Sequence, residues 1–155
     1  MLMKSITKHE LRDMISEHTT WLDTAGRLGK QINLSRRVVR GVNLSGRNLS
    51  KGIFVSTRFY DVKLKEAKFT GANLERAYLG PTNLSKVSFK KANLTRTNFK
   101  EAILNSTNFH GAKFNNTNFE GTLLSNALFD DDMLRKIKKR VVESMDNKTP
   151  LVLTI

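Results

Sequence analysis

The chain has 155 residues, enough for one domain, and carries 27 Lys and Arg against 14 Asp and Glu, a net charge of +13 that favours anionic partners. It has no cysteine, which excludes a disulfide framework, thiolate chemistry and cysteine-based zinc sites and fits a reducing compartment. The first residues hold no apolar run suited to a signal peptide, and nothing approaches a membrane-spanning apolar stretch, so the expectation is a soluble, cytoplasmic protein with no membrane partner.

In chain order, residues 7 to about 25 read as a helix. Thr7 with Glu10 makes a capping box, and Leu11, Met14, Ile15, His18 and Leu22 share one face with Trp21 beside them. Gly26 and Gly29 end it. From Leu34 a five-residue step begins and runs to Phe129; 19 of its 20 positions are Leu or Phe, and all nine phenylalanines of the protein fall on it. Neither the helical nor the strand period keeps pace with that step. Two residues before each of these positions the side chain is nearly always small from Thr57 onward, as at Ala67, Ala72, Ala77, Thr82, Ala92 and Thr97. In an extended chain, positions two apart share a side. Each pentad therefore sends one large and one small residue inward and three residues outward. Taken by fours, one column reads Leu44, Leu64, Leu84, Leu104 and Leu124, and another reads Leu49, Phe69, Phe89, Phe109 and Phe129. Like stacks on like, which argues for four sides per turn and about 24 Å of stack at the ~4.8 Å spacing of paired strands. No single turn is stable alone, so the two ends need covering.

After the coil, Asp130, Asp131 and Asp132 supply the negative charge a helix N-terminus favours, and a helix from Met133 to about Met145 follows. Leu134, Ile137, Val141 and Met145 form its apolar stripe; Arg135, Lys136, Lys138, Lys139 and Arg140 surround it. That basic cluster reads either as a solvated face or as a site for nucleic acid or an acidic protein. Leu123 and Leu128, outward in the last turn, are expected to pack beneath this helix, with Ile103 extending the seam. The tail Leu151-Val-Leu-Thr-Ile155 suits a strand added to an edge, in the same molecule or a second one.

Ala72-Asn-Leu-Glu-Arg76 and Ala92-Asn-Leu-Thr-Arg96 resemble the Ala-(Asp/Asn)-Leu-x-x motif of the pentapeptide-repeat family, and the resemblance covers residues 32–131. It implies an all-β solenoid: a right-handed, four-sided β-helix of about five coils over 32–131, an N-terminal helical cap over 1–31, and a C-terminal helix and tail over 132–155. His18-Thr-Thr-Trp-Leu22 resembles N-terminal segments of some phage and bacterial members. The family implies protein–protein action, often by inhibiting or shielding a nucleic-acid-handling enzyme such as a topoisomerase. In several members a C-terminal segment makes the dimer, which sets the expectation of a homodimer here. Some members resemble duplex DNA in shape and negative charge and act on DNA gyrase that way. This coil does not fit that mode. Between 32 and 131 it carries 16 basic and 7 acidic residues, and the position before each central residue holds Asn nine times and Asp never. Stacked pairs such as Asn73 with Asn93 and Asn98 with Asn118 are expected to form short amide ladders.

No chemistry is legible. His9 and His18 lie on the predicted helix, His110 stands outward without a Cys or His nearby, and Asp61, Glu66, Glu75, Glu101 and Glu120 are scattered outward among Lys and Arg. Gly41, Gly46, Gly111 and Gly121 fall at corners rather than in a phosphate loop. Catalytic, metal and cofactor-binding residues are therefore not expected. Candidate partner-binding residues are Tyr60 and Tyr78, on one side in adjacent turns with Arg58 and Lys100 nearby. Arg37 and Arg47 occupy inward small-residue positions, where an unpaired guanidinium is very costly. A flared or looped first turn is predicted there, with Arg36, Arg40, Lys51 and Arg58 completing a basic rim; the alternative is degeneration of a terminal repeat. Arg36, Arg76 and Arg96 share one stacked column, and Lys136, Lys139 and Arg140 lie at the far end. Two functions fit. The first is a protein-binding solenoid that inhibits or modulates a bacterial nucleic-acid-handling or defence enzyme, of a phage type or directed at a topoisomerase. The second is direct nucleic-acid binding, against which the outside lacks the repeated aromatics that stack single-stranded bases. A structural or secreted-effector role is a third class.

Overall fold

A computed structural model describes residues 3–137. The chain enters through β1 (Lys4–Ser5) and α1 (Lys8–Asp23) and then winds into a coil, whose longest strands are β2 (Arg37–Arg40) and β3 (Arg58–Tyr60). β1, β2 and β3 pair in parallel in that order, with Ser5 opposite Val38 and Val38 opposite Arg58. The rest of the coil is joined by single parallel bridges at the same spacing, as in the series Asn33, Ile53, Asn73, Asn93 and Lys113. Four such columns run up the molecule. The first side is centred on Leu34 and Phe54, the second on Val39 and Phe59, the third on Leu44 and Leu64, and the fourth on Leu49 and Phe69. Residues 131–137 are helical.

The five-residue step is the core. Every central residue from Leu34 to Phe109 is at most 3% exposed, each contributing roughly 1.5–3 kcal/mol of burial. On the fourth side Phe69, Phe89, Phe109 and Phe129 stack nearly parallel, with ring centroids 5.4, 5.5 and 4.8 Å apart. The inward threonines look polar for such a place, but their hydroxyls are satisfied by the coil below. Thr57 donates to the Leu34 carbonyl at 2.7 Å, and Thr97, Thr107 and Thr117 repeat the bond to Leu74, Leu84 and Leu94. A buried donor left unmade costs more than the bond gains.

Every side but the one that reaches Pro81 turns a corner through a residue with positive φ, and most are not glycine: Arg36 at 58°, Arg76 at 57°, Arg96 at 56°. Such a conformation costs on the order of 1 kcal/mol, and two bonds offset it. The corner N–H reaches the next coil, as from Arg76 to the Thr95 carbonyl at 2.9 Å. The residue before the corner donates its N–H to an asparagine Oδ1 at all nine asparagines that precede a central residue, as from Glu75 to Asn73 and Thr95 to Asn93. The asparagines are therefore turn-formers first. The amide ladder exists between Asn93 Nδ2 and Asn73 Oδ1 at 3.2 Å.

The ladder has one gap among the described residues. Bridges join every adjacent pair of coils on every side except Lys63 with Asn83. Pro81 sits at the preceding corner, where it has no N–H to donate and a fixed negative φ. Gly80, beside it, presses against the next coil: a Cβ there would lie 2.2 Å from the Lys100 carbonyl oxygen.

α1 lies across the open end of the first coil. Its start carries the Thr7–Glu10 capping box, in which the Glu10 carboxylate accepts from the Thr7 N–H at 3.0 Å and Thr7 Oγ1 accepts from the Glu10 N–H at 3.1 Å. Leu11 and His18 are its buried residues. His18 stacks on Trp21, and its Nδ1 accepts the Ile32 N–H at 3.2 Å, which ties the helix to the entry of the coil.

Two expectations are corrected here. The first coil is not flared at Arg37 or Arg47, because its ladder to the second coil is intact: Leu44 N–H donates to Lys63 and Lys68 N–H donates to Arg47 at 2.8 and 2.9 Å. Both arginines are accommodated because no further coil stacks beneath them. Arg37 is capped by β1 and pairs with Glu10 at 3.4 Å, and Arg47 reaches out under α1, exposed. Among the described residues no part of the C-terminal helix covers Leu123 and Leu128; they are 57% and 56% exposed, and only Ile137 of residues 131–137 packs against the core. Ile103 does bridge to Leu123. The expected helix beyond residue 137, with Lys139 and Arg140, and the tail Leu151–Ile155 lie outside the described residues.

Candidate partner-binding site

The second side and the corner before it bring together Arg40, Arg58, Tyr60, Arg76, Tyr78 and Arg96 of the predicted partner residues. Arg58 and Tyr78 are bridge partners in adjacent coils. Tyr60 leaves β3 on the same face, and its ring meets that of Tyr78 at 5.4 Å and 45°. Arg76 and Arg96 stand one above the other at the corner, where positive φ directs each outward. Arg58, Tyr60, Arg76, Tyr78 and Arg96, with Ala77 and Asn98, line a depression of about 440 Å³. Arg40, one coil below, lies with its guanidinium 4.7 Å from the Tyr60 ring centroid and 3.7 Å from Asp61, an arrangement that holds the ring in place. Arg76 has Glu75 at 3.8 Å, whereas Arg58 and Arg96 have no ion-pair partner among the described residues.

The remaining predicted residues fall elsewhere. Lys100 does not line the depression; it pairs with Glu120 at 3.0 Å, and that hydrogen bond holds its ammonium above the usual lysine range. Arg36 is exposed at the corner of the first coil, below the depression rather than in it. Arg37 is tied to Glu10, whose carboxyl is held low by the Thr7 N–H first and Arg37 last. Arg47 opens on a different cavity, so the basic rim expected from Arg36, Arg37, Arg40, Arg47, Lys51 and Arg58 is divided among three places. Lys136 pairs with Asp132 at 2.9 Å, and that hydrogen bond lowers the Asp132 carboxyl.

The histidines are structural or exposed. Burial lowers the His18 pKa from 6.5, against the opposing Ser50 backbone, and its Nδ1 is used as an acceptor. His9 pairs with Asp13 at 3.2 Å on the exposed helix start, and His110 with Asp130 at 2.6 Å. Among the described residues no three His, Asp or Glu side chains converge as metal ligands, and no helix is long and apolar enough to cross a membrane.

Two signals in the sequence lie outside those expectations. The asparagine before each central residue signals an Asx turn whenever a corner lies three residues on. Gly80-Pro81 marks an irregular corner.

These features define a class: a four-sided parallel β-helix built from five-residue sides, offering a basic and aromatic outer face. The family model for pentapeptide repeats matches in eight copies over residues 40–76 and 82–121, and the pentad it passes over is the one ending in Gly80-Pro81. The chain belongs to the pentapeptide-repeat family, whose coil is a right-handed quadrilateral β-helix. A pentapeptide repeat protein of the Arabidopsis thaliana thylakoid lumen is similar at 27% identity and TM-score 0.55, over 70% of this chain and 77% of that one. HetL, a pentapeptide repeat protein involved in heterocyst differentiation regulation in the cyanobacterium Nostoc, is 18% identical with TM-score 0.27, over 64% and 56%. QnrB1, a plasmid-mediated fluoroquinolone resistance protein, is 16% identical with TM-score 0.26, over 73% and 82%. No curated protein sequence matches the chain.

Proposed function

We propose that this chain is a non-enzymatic, protein-binding β-helix that inhibits or modulates a bacterial nucleic-acid-handling or defence enzyme, of the phage counter-defence or topoisomerase-directed kind, without acidic DNA mimicry. The observation that carries the reading is the Tyr60–Tyr78 pair flanked by Arg58, Arg76 and Arg96, two of those arginines lacking a partner among the described residues. Tyrosine and arginine on a rigid scaffold supply contact area at little entropic cost and dominate binding hot spots. An acidic protein face is the complement of such a patch. In this reading residues 32–131 are the binding unit of five coils, 1–31 and 132–155 cover its ends, the C-terminal segment joins two copies, and the protein acts in the cytoplasm. A tagged pull-down from bacterial lysate, treated with nuclease, tests it. One host enzyme is expected at near-stoichiometric amount, and Tyr60→Ala with Tyr78→Ala is expected to lose it. Unchanged capture by the double variant would sink the patch, and loss of everything with nuclease would sink the protein partner.

A second reading, direct nucleic-acid binding, draws on Arg36, Arg76 and Arg96 in one corner column. Three phosphate contacts predict a loss of about 40-fold in duplex affinity between 50 and 200 mM salt, with no sequence preference. A sequence-specific footprint surviving the higher salt would instead favour this reading over the first.

A further inference from the structure

We propose that the open edge of the first coil beneath α1 is a strand-addition site for an extended segment of a partner protein that alternates apolar and acidic residues. In the later coils, Asn83 excepted, the residue before the centre donates its N–H to the coil below, as Lys63 does to Val42 at 2.9 Å. The carbonyls on either side of the centre accept from below, as Lys63 does from Leu44 and Lys65 does from Gly46 at 2.8 and 2.9 Å. The first coil has no coil beneath it. On its second side β1 takes that role, in parallel, with Ile6 N–H donating to the Val38 carbonyl at 3.0 Å. On its third side the equivalent groups, the N–H and C=O of Asn43 and the C=O of Ser45, have no backbone partner among the described residues. Asn43 lines a cavity of about 580 Å³ between α1 and residues 41–44.

The walls of that cavity select the occupant. Ile15 of α1 and Val42 of the coil are the part-exposed apolar side chains on its walls, with the buried Leu11 and Leu44 behind them, so one row of side chains on an added strand meets apolar surface. Lys8 and Arg47 also line it, neither in an ion pair among the described residues. Arg47 stands where later coils carry Ala67, Val87, Thr107 and Ala127, and it alone of that column turns a cation into the groove. An edge of unpaired amides calls for a polypeptide backbone, and two unneutralised cations call for carboxylates. The site is separate from the Tyr60–Tyr78 depression, so it stands or falls independently of the proposed function.

The test uses the full chain and a fluorescein-labelled octapeptide of alternating valine and glutamate, followed by fluorescence polarisation. Saturable binding is expected, with slower hydrogen exchange at the Asn43 amide. Replacing glutamate by lysine, or N-methylating alternate peptide nitrogens, is expected to weaken it at least about tenfold. Arg47→Glu is expected to do the same with an unchanged melting temperature, while Tyr60→Ala with Tyr78→Ala has no effect. If Arg47→Glu misfolds, Lys8→Glu replaces it. The proposal is overturned if the valine–glutamate peptide does not bind, if the lysine or N-methylated peptide binds within about twofold, or if a single-stranded DNA octamer displaces it equally well.

Discussion

At Asn93 two demands meet in one side chain: Oδ1 accepts the Thr95 N–H to shape the corner, and Nδ2 donates to Asn73 one coil below. An aspartate there keeps the turn but loses the donor and sets a carboxylate against the Asn73 carbonyl oxygen. Asn93→Asp is therefore expected to lower stability by about 1–3 kcal/mol, measured by urea unfolding; a neutral result would show that the ladder contributes nothing. His18 poses a different test. Its buried imidazole has a lowered pKa and uses Nδ1 to accept the Ile32 N–H. The unfolded chain takes up a proton near the ordinary 6.5 that the folded chain refuses. Stability is thus full above that pH and falls as pH drops below it towards the folded pKa. His18→Gln, which retains an acceptor, is expected to flatten that part of the pH profile of the melting temperature. An unchanged profile would place the titration elsewhere.

Among the elements, the corner at Gly80-Pro81 departs from all others. The proline removes one lateral bond to the coil above, and on the same third side the ladder to the coil below is open between Lys63 and Asn83. The compensation is close packing on the coil above, where Gly80 touches the Lys100 backbone. Gly80→Ala is expected to cost about 1–3 kcal/mol through overpacking against a backbone that cannot swing aside. Gly41 makes the contrast: it has open space around its Cβ position and the same left-handed corner that arginine, lysine and serine adopt elsewhere. Gly41→Ala is expected to cost less than Gly80→Ala in the same melting experiment, and the reverse order would refute the packing argument.

For the whole molecule, stability belongs to the stack. Phe89 lies between Phe69 and Phe109 with no exposure, so Phe89→Asp places a charge where no water or partner can reach it. The whole coil is expected to unfold, seen as loss of the β signal in circular dichroism, and a folded variant would undo the inward register. Tyr60→Ala with Tyr78→Ala, on the outer face, is expected to leave the melting temperature nearly unchanged while removing the partner. The core and the proposed binding face are thus expected to be separable by mutation.

The inward register, the four columns and the turn of α1 were legible because each rests on a pattern repeated along the chain: Leu or Phe every fifth residue, Phe above Phe every fourth pentad, Thr7 three before Glu10. The shared side of Tyr60 and Tyr78 followed from the same arithmetic. Contacts at the ends and at the one irregular corner did not. The direction of Arg47, the pairing of Arg37 with Glu10 and of Lys100 with Glu120, and the exposure of Leu123 and Leu128 depend on what lies above or below a coil. A repeat specifies a residue's neighbours only where the repeat continues. At its first turn, its last turn and its proline, packing across distant parts of the chain sets the outcome.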